Sequence, residues 1–336
     1  RARARVGLGL LLTGAVAVVA LVELRPADAA PGRSIGSVVS RVSLSGPTAR
    51  DTRAYAGQAA WVDAFDFGPA YQKAGAQPSV TPAVVDEMAA HGVRTLFLQA
   101  TRADSNQPGG FVDRALVAEI LVRAHRDGMR VVGWYLPTFA DTDADLARMT
   151  SVARFNVLGH RFDGLAADIE DVDTVADVDV RNQRLVELSK RIRADVGSEA
   201  LGAIVLPPVL TEVVNPNRWP DFPWSQLAPL YNVWLPMSYW TFRTNSSGYH
   251  DGYTYNDESI RRLRADLEDP DALVHGIGGI GDTATAGEIT RFVQSLFDNH
   301  AIGGSLYDWN ATPPESRDLM QQQFDTGPGA SLPAPP

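Results

Sequence analysis

Between residues 58 and 325 the chain alternates short apolar runs with longer amphipathic stretches. The first four runs are AWVDAFDF (60–67), RTLFLQAT (94–101), RVVGWYLP (130–137) and GLAADIE (164–170). The next four are LGAIVLPP (201–208), NVWLPMSYW (232–240), LVHGIGGIG (273–281) and GGSLYDWN (303–310). Each is rich in β-branched or aromatic residues and bounded by Gly, Pro or Asp, which is how a strand reads. Between them apolar residues recur every three or four positions, the period of a helix. TPAVVDEMAAHG opens with Thr81 as N-cap and Pro82 at the first helical position, and it stops at Gly92. FVDRALVAEILVRAHRDG places Leu116, Ile120 and Leu121 on one face, and DVRNQRLVELSKRIRADVG and TAGEITRFVQSLFDNH repeat the period.

Eight strands alternating with helices predict an α/β fold, the (β/α)8 TIM barrel. A doubly wound open sheet also alternates. Its phosphate loop would need a glycine-rich turn followed by GKS or GKT, and the candidate GGIGDTATAG lacks that ending. The segment between the fifth and sixth runs, NRWPDFPWSQLAPLY, is the least helical of the connections.

The flanks read differently. RARAR, the apolar run VGLGLLLTGAVAVVALV and the small-x-small triplet Ala27-Asp28-Ala29 form the three parts of a signal peptide over residues 1–30. The apolar run is just long enough to span a bilayer, so an uncleaved anchor is the alternative. Both predict a secreted or extracytoplasmic protein, with membrane contact only if the segment stays attached. Residues 31–57 read as a linker or N-terminal arm, residues 58–325 as a catalytic barrel domain, and the Pro/Gly/Ala-rich residues 326–336 as a disordered tail.

Thirty basic side chains against forty acidic ones leave a formal charge of −10, which excludes nucleic acid as a partner. The chain has no cysteine, so disulfides, thiol nucleophiles, cysteine-bound zinc and iron–sulfur clusters are excluded. Six histidines are scattered without HExxH spacing. The sequence predicts no cofactor.

Barrel active sites lie at the C-terminal ends of the strands. The ends in the first three runs offer Asp63 and Asp66, Gln99 and Arg102, then Trp134 and Tyr135. The later ends offer Asp168 and Glu170, then Met237, Tyr239 and Trp240, then Asp308 and Trp309. Aromatic faces with carboxylates and amides suit a polysaccharide or oligosaccharide substrate. Within FDGLAADIEDVD (162–173), strand alternation puts Ala166, Asp168 and Glu170 on one face and Leu165, Ala167 and Ile169 on the other. The apolar face suits the helix layer, which turns the two acids into the barrel mouth. Roughly 6.6 Å of strand separates them, so ionising one raises the pKa of the other. Glu170, longer and nearer the mouth, is the expected proton donor, and Asp168 the orienting group. Asp171, Asp173 and Asp177 are expected to cap helices or loops.

The stretch DGLAADIE resembles the strand-4 motif DGxDxDxE of family 18 glycoside hydrolases, the chitinase-like barrels. Asp163, Gly164, Asp168 and Glu170 match it, and Ala166 stands where that family has its middle aspartate. Met237-Ser238-Tyr239-Trp240 is similar to the family's Met-x-Tyr-Asp, with Trp240 in place of the aspartate, and Trp309 fits the tryptophan that floors the sugar site. The resemblance implies a glycosidase for a β-linked, N-acetylated polysaccharide of the chitin or peptidoglycan type. It implies Glu170 as general acid/base, and Asp168 and Tyr239 holding the acetamido group that attacks the anomeric carbon. A strand-4 Asp-x-Glu also occurs in family 25 muramidases. Two further readings stay open: a glycan-binding barrel without turnover, and a metal-assisted hydrolase using Asp168, Glu170 and His275.

Overall fold

The computed structural model describes residues 50–326, and the expected signal peptide and nearly all of the tail lie outside that range. Eight parallel strands form one sheet: β1 (Gly57–Val62), β2 (Thr95–Gln99), β3 (Arg130–Tyr135), β4 (Gly164–Ile169), β5 (Leu201–Val205), β6 (Val233–Pro236), β7 (His275–Ile280) and β8 (Gly303–Tyr307). Neighbours run β6-β5-β4-β3-β2-β1-β8-β7. Isolated parallel bridges Trp234–Val274 and Met237–Ile277 join β6 to β7 and bring the sheet round into a barrel. The expected (β/α)8 architecture is present.

Each strand falls inside its predicted run, except that β1 begins earlier and ends at Val62. AFDF does not continue the strand. Asp63 accepts from Phe65 N and Asp66 accepts from Asp63 N, a reciprocal capping box that starts the short helix α1 (Ala64–Phe67). The outer layer then comprises α2 (Val84–Ala90), α3 (Arg114–Arg126), α4 (Thr142–Ala153), α5 (Val178–Val196), α6 (Trp224–Leu227), α7 (Gly252–Asp266), α8 (Ala286–Asp298) and α9 (Pro314–Thr326). Thr81 and Pro82 form a turn ahead of α2 rather than its cap. Asp113, Asp141, Asp177 and Asp251 cap the longer helices, and Thr285 with Glu288 boxes α8. The connection from β5 to β6 holds a π-helical turn, Val209–Val214, and the single-turn α6.

Side-chain alternation sorts the core into layers. Leu165, Ala167 and Ile169 join the cluster between sheet and helices, while Ala166 joins Trp61, Phe97, Trp134 and Ile204 inside the barrel. Trp61 stacks on Phe97 with centroids 4.2 Å apart, and Trp134 meets Trp61 edge-on at 6.0 Å. The opposite end of the barrel is plugged by the chain just before β1. Tyr55 donates to Leu165 O at 2.6 Å and accepts from Leu165 N at 3.0 Å. Arg50 bonds Phe162 O and pairs with Glu199. The residues nearest β1 thus dock against the barrel floor.

Candidate active site

At the C-terminal ends of the strands lies a cavity of about 220 Å³. Asp168 and Glu170 line it from β4, as alternation requires, since Ile169 between them points into the helix layer. Asp168 is only 6% exposed, and its Oδ1 finds no hydrogen-bond partner among the described residues. Burial, and then the charge of Glu170, holds its carboxyl well above the usual range. Burial also raises Glu170, against the opposing pull of Arg218 in the β5–β6 connection.

From the other strands the cavity receives Gln99, Trp134, Met237 and Tyr239. Tyr239 resists ionisation because it is buried and faces Glu170, Asp168, Asp308 and Asp63. Its hydroxyl therefore stays protonated, ready to donate. Asp63 lines the cavity as well, capping α1 with one oxygen and accepting the Tyr307 hydroxyl at 2.9 Å with the other.

Asp66 and Asp308 stand behind Asp63 rather than in the cavity wall. Oxygens of the three acids lie within 4.8 Å of one another, the spacing of a cation site. Internal bonds already use much of that set: Asp66 accepts from Asp63 N at 3.0 Å, and Asp308 accepts from Ala311 N at 2.7 Å. Burial, with Asp63 and Asp308 beside it, pushes Asp66 up to about 8, so it holds a proton at neutral pH. His275, which the metal-assisted reading joins to Asp168 and Glu170, does not line their cavity. It begins β7, bonds Tyr55 O at 2.7 Å on the barrel floor, and burial lowers its pKa to about 4.

Four more expected rim residues lie elsewhere. Tyr135 follows inward Trp134 and so faces the helices, donating to Asp145 Oδ1 at 2.5 Å. Trp240 follows inward Tyr239 and is fully buried against Phe292. Trp309 lies beyond the end of β8 in the helix layer, with the Arg317 guanidinium 4.0 Å from its ring centroid. Arg102 sits outside the cavity wall, paired with Asp104 and stacked 4.8 Å over Phe65. The aromatic that closes the strand-8 side is Tyr307, and Trp61 forms part of the floor. Both were legible in principle: Trp61 shares its face with Asp63 two residues on, and Tyr307 is the last residue of its strand.

No protein-family model and no curated protein matches this chain. Solved structures do. A family 18 chitinase from Cycas revoluta, crystallised with a trimer of N-acetylglucosamine, aligns with a TM-score of 0.59 at 10% identity, over 80% of this chain and 100% of that one. The Bacillus cereus spore cortex-lytic enzyme aligns at 0.52 and 10% identity, over 82% and 74%. A Pseudomonas stutzeri endoglucanase aligns at 0.55 and 13% identity, over 80% and 94%. At such identities the likeness is one of fold, and the fold of this chain is a chitinase-like (β/α)8 TIM barrel.

Proposed function

We propose that this protein is an exported glycoside hydrolase acting on a β-linked, N-acetylated polysaccharide of the chitin or peptidoglycan type. The observation that carries the reading is the pair Asp168 and Glu170, held side by side above the usual carboxylate range in one cavity with Tyr239. A carboxylic acid that keeps its proton near neutrality can protonate a glycosidic oxygen. In this reading Glu170 protonates the leaving oxygen while the substrate's own acetamido oxygen attacks the anomeric carbon. Asp168 and Tyr239 hold that acetamido group, so no protein nucleophile is required, the recognised exception to two-carboxylate catalysis. Glu170 then takes a proton from the water that opens the intermediate. The likeness of fold to glycoside hydrolases supports the same reading.

Ala166 favours a second reading, a barrel that binds glycan without cutting it, because Asp168 lacks the acidic neighbour found in family 18. Purified wild type and Glu170→Gln, assayed on fluorogenic chito-oligosaccharides and on cell-wall glycan, separate the two. Turnover by wild type that falls about 10³-fold in the variant is the expected result. Turnover that survives the substitution excludes the role given to Glu170, and binding without turnover in wild type selects the second reading.

A further inference from the structure

The chemistry proposed above uses the carboxyls and Tyr239 but leaves two polar groups of the cavity without a task. Gln99 ends β2 and Trp134 lies near the end of β3, and the two are direct partners in the parallel ladder. Both line the cavity and each is 4% exposed. Trp134 Nε1 finds no hydrogen-bond partner among the described residues. A buried indole N–H without an acceptor costs free energy, so its position calls for a ligand atom. Gln99 is oriented by its other end: Ala64 N, the first helical amide of α1, donates to Gln99 Oε1 at 2.9 Å. A backbone N–H can only donate, so the amide oxygen faces α1 and the NH2 group is the end left for the cavity.

Two donors on adjacent strands thus belong to one wall of a cavity whose titratable lining residues are acids and tyrosines. None of the described residues lining it is lysine, arginine or histidine. A carboxylate on the ligand would face Asp63, Asp168 and Glu170 with no cation among the lining residues, so an uncharged acceptor suits the two donors. Ala166 contributes by size. It is the ladder partner of Trp134 and is fully buried in the same interior cluster, where its methyl leaves the indole its place.

Building on the proposed glycosidase reading, we infer that Gln99 Nε2 and Trp134 Nε1 form a two-donor clamp for one uncharged oxygen of the sugar in the cavity, a hydroxyl or an amide carbonyl. The clamp fixes the sugar from the β2–β3 side while Asp168 and Tyr239 act from β4 and β6.

The test titrates chitotriose into the Glu170→Gln protein, which retains the cavity, by calorimetry. Two substitutions are added singly and together. Trp134→Phe keeps an aromatic ring but removes the N–H. Gln99→Glu keeps an oxygen for Ala64 N and turns the free end from donor to acceptor. Each single change is expected to weaken binding about tenfold, the worth of one buried hydrogen bond. Because the donors share one oxygen, the double change should weaken it by clearly less than the product of the two. With Glu170 intact, the same substitutions should raise KM more than they lower kcat. Unchanged affinity in both single variants, with melting temperatures near that of the parent, overturns the clamp, and so does a fully multiplicative loss in the double variant. Failure of the parent and of wild type to bind chitotriose overturns the glycan reading itself.

Discussion

The two acidic banks of the barrel mouth are built from similar residues and do opposite things. On β4 the alternation carries one residue past the strand's end, so Asp168 and Glu170 both reach the cavity. On the side of β1 and β8 the chain turns away directly after the strand. Asp63 turns into a helix cap, Asp66 folds back onto its amide, and Asp308 and Trp309 leave the wall for the loop and the helix layer. One bank presents Asp168 with an unpartnered oxygen, and the other spends its carboxyls on nearby backbone amides and the Tyr307 hydroxyl. A carboxylate is available for chemistry only where the local backbone has no use for it.

The largest expected effect tests the first bank. Glu170→Gln should lower kcat about 10³-fold while leaving the fold intact, measured by turnover and thermal melting. Asp63→Asn, by contrast, should cost far less turnover, and an equal loss would erase the distinction between the banks.

Trp309→Ala should reverse the pattern. The ring is 5% exposed in the helix layer, so its removal should cost about 3–5 kcal/mol of stability in urea unfolding while KM stays unchanged. A raised KM with unaltered stability would return Trp309 to the sugar site.

Asp66→Asn probes the second bank by pH. The folded protein keeps the Asp66 proton up to about 8, whereas an unfolded chain releases it near roughly pH 4. Over that window the folded state binds more protons, so this group's contribution to stability falls as pH rises. The asparagine variant should therefore melt higher than wild type at pH 8, by the equivalent of several kcal/mol, and lose that advantage toward pH 4. An identical pH slope in both proteins would show that Asp66 ionises normally.

The smallest effect belongs to Arg218, which favours the ionised form of Glu170 from the exposed β5–β6 connection. Removing it as Arg218→Gln should move the alkaline limb of kcat/KM upward by a few tenths of a pH unit, less so at high salt. A downward shift would mean that Arg218 does not act on Glu170.

The alternation that placed Asp168 and Glu170 also decides the pairs on β3 and β6. Of Trp134 and Tyr135 only the first faces the cavity, and of Tyr239 and Trp240 again only the first. Neighbouring residues on one extended segment cannot both face the cavity. Arg102, Asp66, Asp308 and Trp309 lie where the chain turns away from the strand direction, into the short helix after β1 and the loops after β2 and β8.

The sequence alone determined the barrel, the order of its strands and the face on which the strand-4 acids lie. Those follow from local periodicity, which is written residue by residue. Tertiary structure decided that Gln99 and Trp134 meet as ladder neighbours in one cavity wall, and that Gln99 is anchored to α1 and Tyr307 to Asp63. These depend on contacts between segments 35 to more than 200 residues apart, such as Gln99 with Ala64 and Tyr307 with Asp63, and no local pattern encodes them.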